Sequence, residues 1–244
     1  MILIPRSIVA AVDFGEASAR AVTTAGEIAG RCRSSLVLLH AESVEAPAYF
    51  TTEQIEALER QRRTLRAQAE QYLSRFGRQH TAAPFSVLVD DRSPVDAIVH
   101  ASGAADLVVM GTHGRHGPKR WWMGSVAERV LHEIAKPLLV VRGDAPAAMT
   151  GLFDRSLLHT AGDSDQREVV DFAHALASRF GGSVLDGSED PVDTAVQRTH
   201  ATVVIVPAPH PRTPDWLAGY GEPLVRSSTT PILFVPVVTE GVTS

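Results

Sequence analysis

Between Met110 and Val126 the chain reads Met-Gly-Thr-His-Gly-Arg-His-Gly-Pro-Lys-Arg-Trp-Trp-Met-Gly-Ser-Val, and these are the residue types that hold an anion. Gly111, Gly114 and Gly124 carry no Cβ, so the backbone there can turn tightly and a ligand can come close to it. Gly124-Ser125-Val126 opens a helical pattern, and the free N–H groups and positive dipole end of a helix start favour a phosphate. The Ser125 hydroxyl adds a donor, and Arg115, Lys119 and Arg120 bring charge to the same loop. The chemistry implied is phosphate binding by main chain, with basic side chains in support.

A second group stands far away in sequence. Ser7 to Val12 is a short apolar run that stops at Asp13-Phe14-Gly15. In an open sheet with helices on both faces, ligands bind beyond the carboxyl ends of the strands, where the strand order reverses. Were the strands ending at Asp13 and Gly111 neighbours at that reversal, a carboxylate would face the glycine loop. A carboxylate does not help a phosphate, but it accepts hydrogen bonds from ribose hydroxyls. Sugar on one side and phosphate on the other specify a nucleotide.

The surrounding pattern predicts the elements such a site needs. The first 142 residues alternate strand and helix signals, the mark of a parallel sheet with helices packed on it. After the strand at Ser7–Val12 come a helix over Ser18–Arg31 and a strand over Leu36–His40. From Thr51, apolar residues at Ile55, Leu58, Leu65, Ala69, Tyr72 and Phe76 predict a long helix, with Thr51 and Gln54 as a capping box and Gly77 as its end. Phe85–Val89 is a third strand, and Ser93-Pro94-Val95-Asp96 is a helix start with N-cap, first-turn proline and first-turn acid. Ala105–Met110, Ser125–Ile134 and Pro137–Val141 complete a (βα)4β unit.

Gly143 to Gly151 reads as a linker, and an internal repeat follows. Ser93-Pro94-Val95-Asp96 returns as Asp190-Pro191-Val192-Asp193, and Ala105-Asp106-Leu107-Val108-Val109 as Ala201-Thr202-Val203-Val204-Ile205. Ser156 to Ala161, a helix over Asp165–Phe180 and the strand Pro231–Val235 continue the parallel. No counterpart of the long helix or of at least one strand is present, so the second unit is shortened. Where the glycine loop belongs it reads Val206-Pro207-Ala208-Pro209-His210-Pro211, and proline removes the N–H groups a phosphate would use. Gly219 and Tyr220 stand roughly where Ser125 and Val126 would be. No nucleotide is expected there.

Composition bounds the reading. The chain has 244 residues, 44% hydrophobic and 21% charged, with net charge -5, so no overall field draws nucleic acid or an anionic membrane. The opening Met1–Arg6 is too short for a signal peptide's apolar region, no stretch reaches the roughly 18 apolar residues of a membrane span, and Cys32 is the only cysteine. A cytoplasmic location, with no membrane and no nucleic acid as partner, is the expectation.

In these residues the chain resembles the universal stress proteins. Gly111-x2-Gly114-x9-Gly124-Ser125 after an apolar strand matches the G-x2-G-x9-G-[S/T] signature of the ATP-binding members, and Val12-Asp13-Phe14 resembles their first strand end. Gly15 stands where the family often has serine. The resemblance implies an α/β architecture of two tandem doubly wound parallel-sheet domains of the adenine nucleotide alpha hydrolase-like, Rossmann-like kind, the second shortened. The first would span 1–143, a linker 144–151 and the degenerate copy 152–244. It further implies that Asp13 and Gly111 hold ribose, that Ala41 lies against adenine and offers backbone hydrogen bonds, and that Gly114, Gly124, Ser125 and Val126 bind phosphates, with Arg115 beside them. ATP, with or without Mg2+, is the implied ligand, AMP or another adenine nucleotide staying open. Family members commonly dimerise through the last strand, so Pro137–Val141 is expected beside Ile232–Val238 within one chain, with homodimerisation also open. Pro236 suits an edge rather than a central position.

Plainer roles stand beside these. Gly111 and Gly114 also suit a tight strand-to-helix connection, Asp13 an N-cap, Ala41 simple packing, and the basic side chains a solvated face. His113 and His116 lie three apart with no third ligand near, so no metal site is expected. Trp121-Trp122 suits anchoring of the loop more than stacking on a base. His210 is expected at the surface. No Walker-type lysine follows the glycines and no dedicated catalytic residue is assigned, which favours a nucleotide-binding stress or signalling module over a phosphate-transferring enzyme or a nucleotide-free interaction protein.

Overall fold

The computed structural model describes residues 4–43, 52–112, 125–142, 151–160, 166–187, 190–210, 212 and 214–238. Five strands and four helices alternate in the first part: β1 Ser7–Ala11, α1 Glu16–Cys32, β2 Ser35–Ala41, α2 Thr52–His80, β3 Ser86–Asp90, α3 Pro94–Ser102, β4 Leu107–Thr112, α4 Ser125–Glu133 and β5 Leu138–Arg142. The second part runs β6 Arg155–Leu158, α5 Arg167–Phe180, β7 Ser183–Asp186, α6 Val192–Thr199 and β8 Val203–His210. It continues through a short α7 Pro214–Trp216, a π-helical turn Leu217–Gly221 and α8 Glu222–Ser227 to β9 Ile232–Val238. Among the described residues no helix is long and apolar enough to cross a membrane.

All the strands join one sheet in the order β3-β2-β1-β4-β5-β9-β8-β6-β7. Every pairing is parallel except β5 with β9, where Leu138, Leu139 and Val140 stand opposite Phe234, Leu233 and Ile232. Around that antiparallel seam β2-β1-β4-β5 is mirrored by β7-β6-β8-β9, so the internal repeat is visible as topology, and among the described residues nothing in the second half corresponds to α2 and β3. The expected neighbourhood of Pro137–Val141 and Ile232–Val238 is thus formed. Strand direction reverses once, at the seam; strand order switches between β1 and β4, and again between β6 and β8.

Because the central strands are buried on both faces, they read as apolar runs rather than alternating ones. One face packs Ala21, Ile28, Leu73 and Phe172 of α1, α2 and α5 against Ala10, Leu38 and Val109. The other packs Ile98, Val130 and Leu131 of α3 and α4, with Leu217 and Leu224 of the second part, against Val9, Val108 and Val140. This is the α/β doubly wound class the sequence predicts.

Two local expectations differ from the structure. Gly77 does not end α2, which continues to His80. A Cβ at Gly77 would sit 2.4 Å from the Phe85 ring and 2.6 Å from Leu38 Cδ1, so the glycine lets the helix close onto β2 and β3 rather than stopping it. The proline-rich segment is no loop either: β8 carries on through Pro207 and Pro209, opposite Val235 and Val237. Ile205 turns to β6, accepting the His159 N–H, while Val204 donates to Pro231 O of the β9 side. By that alternation Pro207 and Pro209 face the β6 side at the end of the β6 pairing, where the missing proline N–H stops that ladder without breaking the one to β9. Pro236 lies likewise past the end of the β5–β9 pairing, where β9 has become an edge. The Thr51 capping position and residues 143–150 of the expected linker lie outside the described residues.

Candidate functional site

A cleft of about 320 Å3 opens beyond the carboxyl ends of β1, β2 and β4, at the first switch in strand order. Its size and largely apolar lining fit a small ligand held by a few placed polar groups. Each wall has a local cause.

The first wall is the turn from β1 into α1. Asp13 Oδ1 accepts the Gly15 N–H at 2.9 Å, an Asx turn that carries Phe14 through φ 64°. Gly15 then caps α1 with extended backbone, and the Ser18 hydroxyl donates to Gly15 O. Asp13 therefore does both things expected of it: it shapes the helix entrance and it lines the cleft. Asp13 is the one acidic side chain among the described lining residues.

The second wall is the end of β2. Ala41 lines the cleft with Leu39 and His40. Beyond it, Pro94 and Ile98 of α3 and Met110 of β4 close an apolar pocket. Ser93 caps α3, accepting the Asp96 N–H at 3.3 Å, and so fixes where Pro94 sits.

The third wall is the step from β4 to α4. Gly111 and Thr112 end the strand in the cleft, and Ser125, Val126 and Ala127 present the N-terminus of α4 to it. Ser125 is exposed there while Ala127 is buried. Glycine at 111 also has a packing reason. A Cβ there would lie 2.3 Å from Ala17 C and 2.5 Å from Ala17 O, so Gly111 lets the first turn of α1 press against β4.

Of the residues the sequence singles out, Asp13, Ala41, Gly111, Ser125 and Val126 thus meet around one cleft. Gly114, Arg115 and Gly124, together with His113, His116 and the tryptophan pair, lie outside the described residues. Sequence reasoning missed His40, Thr112 and Met110, whose signal was adjacency to Ala41 and Gly111, and Pro94 and Ile98, reachable only through the topology that lays α3 over β1 and β2. Among the described residues no cluster of three or more metal-ligating side chains occurs.

The second part builds its equivalent place differently. Pairing of Ser156 with Val203 matches that of Ile8 with Leu107, which sets His159 at the position of Ala11. Where Ala11 lines an open cleft, the His159 ring is buried: its Nδ1 takes the Tyr220 hydroxyl at 2.6 Å and its Nε2–H donates to Asp190 O at 3.0 Å. Burial pushes the Tyr220 hydroxyl up to about 12. His210, expected at the surface, is partly buried.

Comparison with known proteins agrees with this fold. Residues 5–142 match the model of the universal stress protein family. Universal stress proteins of Mycobacterium tuberculosis and Mycobacterium bovis are each 33% identical over 141 residues, 55% of this chain and 45% of theirs, so the chain spans about half the length of the curated relatives it matches. Among solved structures, a universal stress protein from Archaeoglobus fulgidus superposes with a TM-score of 0.66 at 18% identity, covering 95% of this chain and 98% of its own. A functionally unknown protein from Pseudomonas aeruginosa superposes with 0.62 at 15% identity, covering 96% and 93%. The structural likeness extends the fold to both halves, and the family match covers more than half of the sequence: this chain belongs to the universal stress protein family.

Proposed function

We propose that the cleft binds an adenine nucleotide, ATP foremost, and that the chain serves as a nucleotide-responsive stress or signalling module. The observation that carries this reading is that the Asp13 carboxylate, the backbone end of β2 at Ala41 and the N-terminus of α4 at Ser125 and Val126 line the same cleft. Ribose hydroxyls donate to a carboxylate, a flat base fits the apolar pocket of Leu39, Ile98 and Met110, and phosphates suit the free N–H groups of a helix start. Those three demands recur together in few small molecules besides nucleotides.

Gly114, Gly124 and Arg115 belong to the phosphate end of this proposal on the sequence signature alone. Residues 152–244 act in it as a built-in partner lobe, which places β9 against the β5 edge of the 1–143 lobe and holds no nucleotide of its own. Mg2+ would come with the ligand's phosphates.

Mass spectrometry of the denatured protein, with calorimetric titration of ATP, ADP, AMP and GTP, tests the reading. One adenine nucleotide per chain is expected, together with a rise of melting temperature on adding ATP. Absence of any released nucleotide and of any thermal shift with all four would sink it. Repeating the titration with EDTA decides the metal, and phosphate appearing in excess of protein would make the chain an enzyme.

A further inference from the structure

In a parallel ladder the N–H and C=O of successive residues turn to alternate sides of the strand. Leu39 turns to β1, and its carbonyl accepts the Val12 N–H at 2.8 Å. Glu42 turns to β3, donating to Asp90 O at 2.8 Å. Ala41, between them in phase, turns to the β1 side. The next rung of the ladder would therefore run from Ala41 N–H to Val12 O. Among the described residues that bond is not formed. Val12 O instead accepts from the His40 ring, whose Nδ1 lies 2.8 Å away and must carry the hydrogen, because a carbonyl only accepts. The ring is held in place by Phe14, centroids 4.5 Å apart, and Phe14 is itself packed by Tyr72 and Phe76 of α2.

We infer that His40 is a positioning residue that satisfies Val12 O in place of the backbone, and so leaves the Ala41 N–H for a ring-nitrogen acceptor of the bound base. This rests on the adenine-nucleotide reading of the cleft. The side chain ends the β1–β2 ladder one rung early, at a residue that lines the cleft. A purine edge that pairs an acceptor nitrogen with an amino group fits the Ala41 N–H and C=O together. Without the His40 donor, Val12 O is left unsatisfied and captures Ala41 N–H, extending the ladder and closing the docking edge.

Amide hydrogen exchange read by NMR tests the first step without any ligand. In the nucleotide-free wild type the Ala41 amide is expected to exchange much faster than those of Leu38 and Leu39. In His40→Ala it should become at least about tenfold more protected, and His40→Asn, whose amide nitrogen can donate from nearly the same place, should restore fast exchange. With ATP, Ala41 should become protected in wild type and His40→Asn, and His40→Ala should bind ATP about tenfold more weakly, the effect of one hydrogen bond. An Ala41 amide already protected in the nucleotide-free wild type overturns the inference, as does exchange unchanged in His40→Ala. ATP binding that leaves Ala41 exchange untouched overturns its base half. A wild type that binds no ATP while Ala41 exchanges freely overturns the nucleotide reading and that base half, and upholds the His40 exchange of donors.

Discussion

The Tyr220 hydroxyl lies 2.6 Å from His159 Nδ1, and the two rings stack with centroids 5.9 Å apart and planes inclined by 23°. Trp216 packs on Tyr220 and edge-on against Phe234, so the closed place in the second lobe is an aromatic plug tied to β9. One lobe keeps small side chains where its strands end and stays open; the other puts a histidine at the position of Ala11 and fills the space from the helical segment after β8.

Tyr220→Phe removes the donor and leaves His159 Nδ1 buried without a partner, which costs about 1–3 kcal/mol. Denaturant unfolding should show that loss, with ATP affinity unchanged because the open cleft is in the other lobe. The pH dependence follows from burial, which lifts the hydroxyl from 10 to about 12. A folded-state value above the unfolded one gives stability that is complete below pH 10 and is lost as pH rises toward 12. Alkaline unfolding curves of Tyr220→Phe should therefore be flatter than wild type across that window; an identical slope would contradict the buried hydroxyl.

Asp13→Asn separates the two roles of the carboxylate. The Asn side-chain oxygen still accepts the Gly15 N–H, so Phe14 keeps its left-handed backbone and the melting temperature should stay within about 3 °C of wild type. Loss of the charge that meets the ribose hydroxyls should weaken ATP about 10- to 100-fold. Calorimetry that finds wild-type affinity in a folded Asp13→Asn would confine Asp13 to the turn.

Gly111→Ala and Gly30→Ala make a matched pair. At Gly111 the new methyl meets Ala17 backbone at 2.3 Å, and backbone cannot yield as a flexible side chain would. The first turn of α1 has to move away from β4, at a cost of about 1–3 kcal/mol, and Asp13 moves with it, so ATP binding should weaken too. At Gly30, late in α1, nothing lies within 4 Å. There the substitution should stabilise by about 0.5–1 kcal/mol, since alanine loses less backbone freedom than glycine in a helix. Equal stability of the two variants would show that the α1–β4 contact is looser than the geometry has it.

Much of the frame was legible because it rests on local rules. Ser93 caps α3, the apolar runs became buried parallel strands, and the repeat returned as mirrored strand order. What sequence could not yield depends on neighbours distant along the chain. Gly77 reads as a helix stop until Leu38 and Phe85 are seen to press on it, and at Gly111 the sequence does not show the further demand made by Ala17 packed against it. His40 carried no signal beyond its adjacency to Ala41, since its ring matters only through Val12 O on the next strand. The second lobe's prolines read as a loop because proline lacks an N–H, yet a strand tolerates it wherever that side of the ladder is already unpaired.

The seam between the lobes yields the last prediction. Val108 N–H donates to Pro137 O, so Pro137, Leu139 and Val141 turn to β4 while Leu138 and Val140 turn to β9. Removing β9 bares those main-chain groups and the buried side chains of Leu138, Leu139 and Val140. An unpaired, apolar central edge is a template for another strand. A chain cut after residue 150 should therefore form an antiparallel β5–β5 dimer, seen as twice the fragment mass in light scattering. Val140→Pro deletes an N–H that faces β9 without touching the β4 ladder, and in the same fragment it should return the monomer. A fragment that is monomeric without the proline would mean that β5 needs no covering strand, and the second lobe's place at the seam would then require another reason.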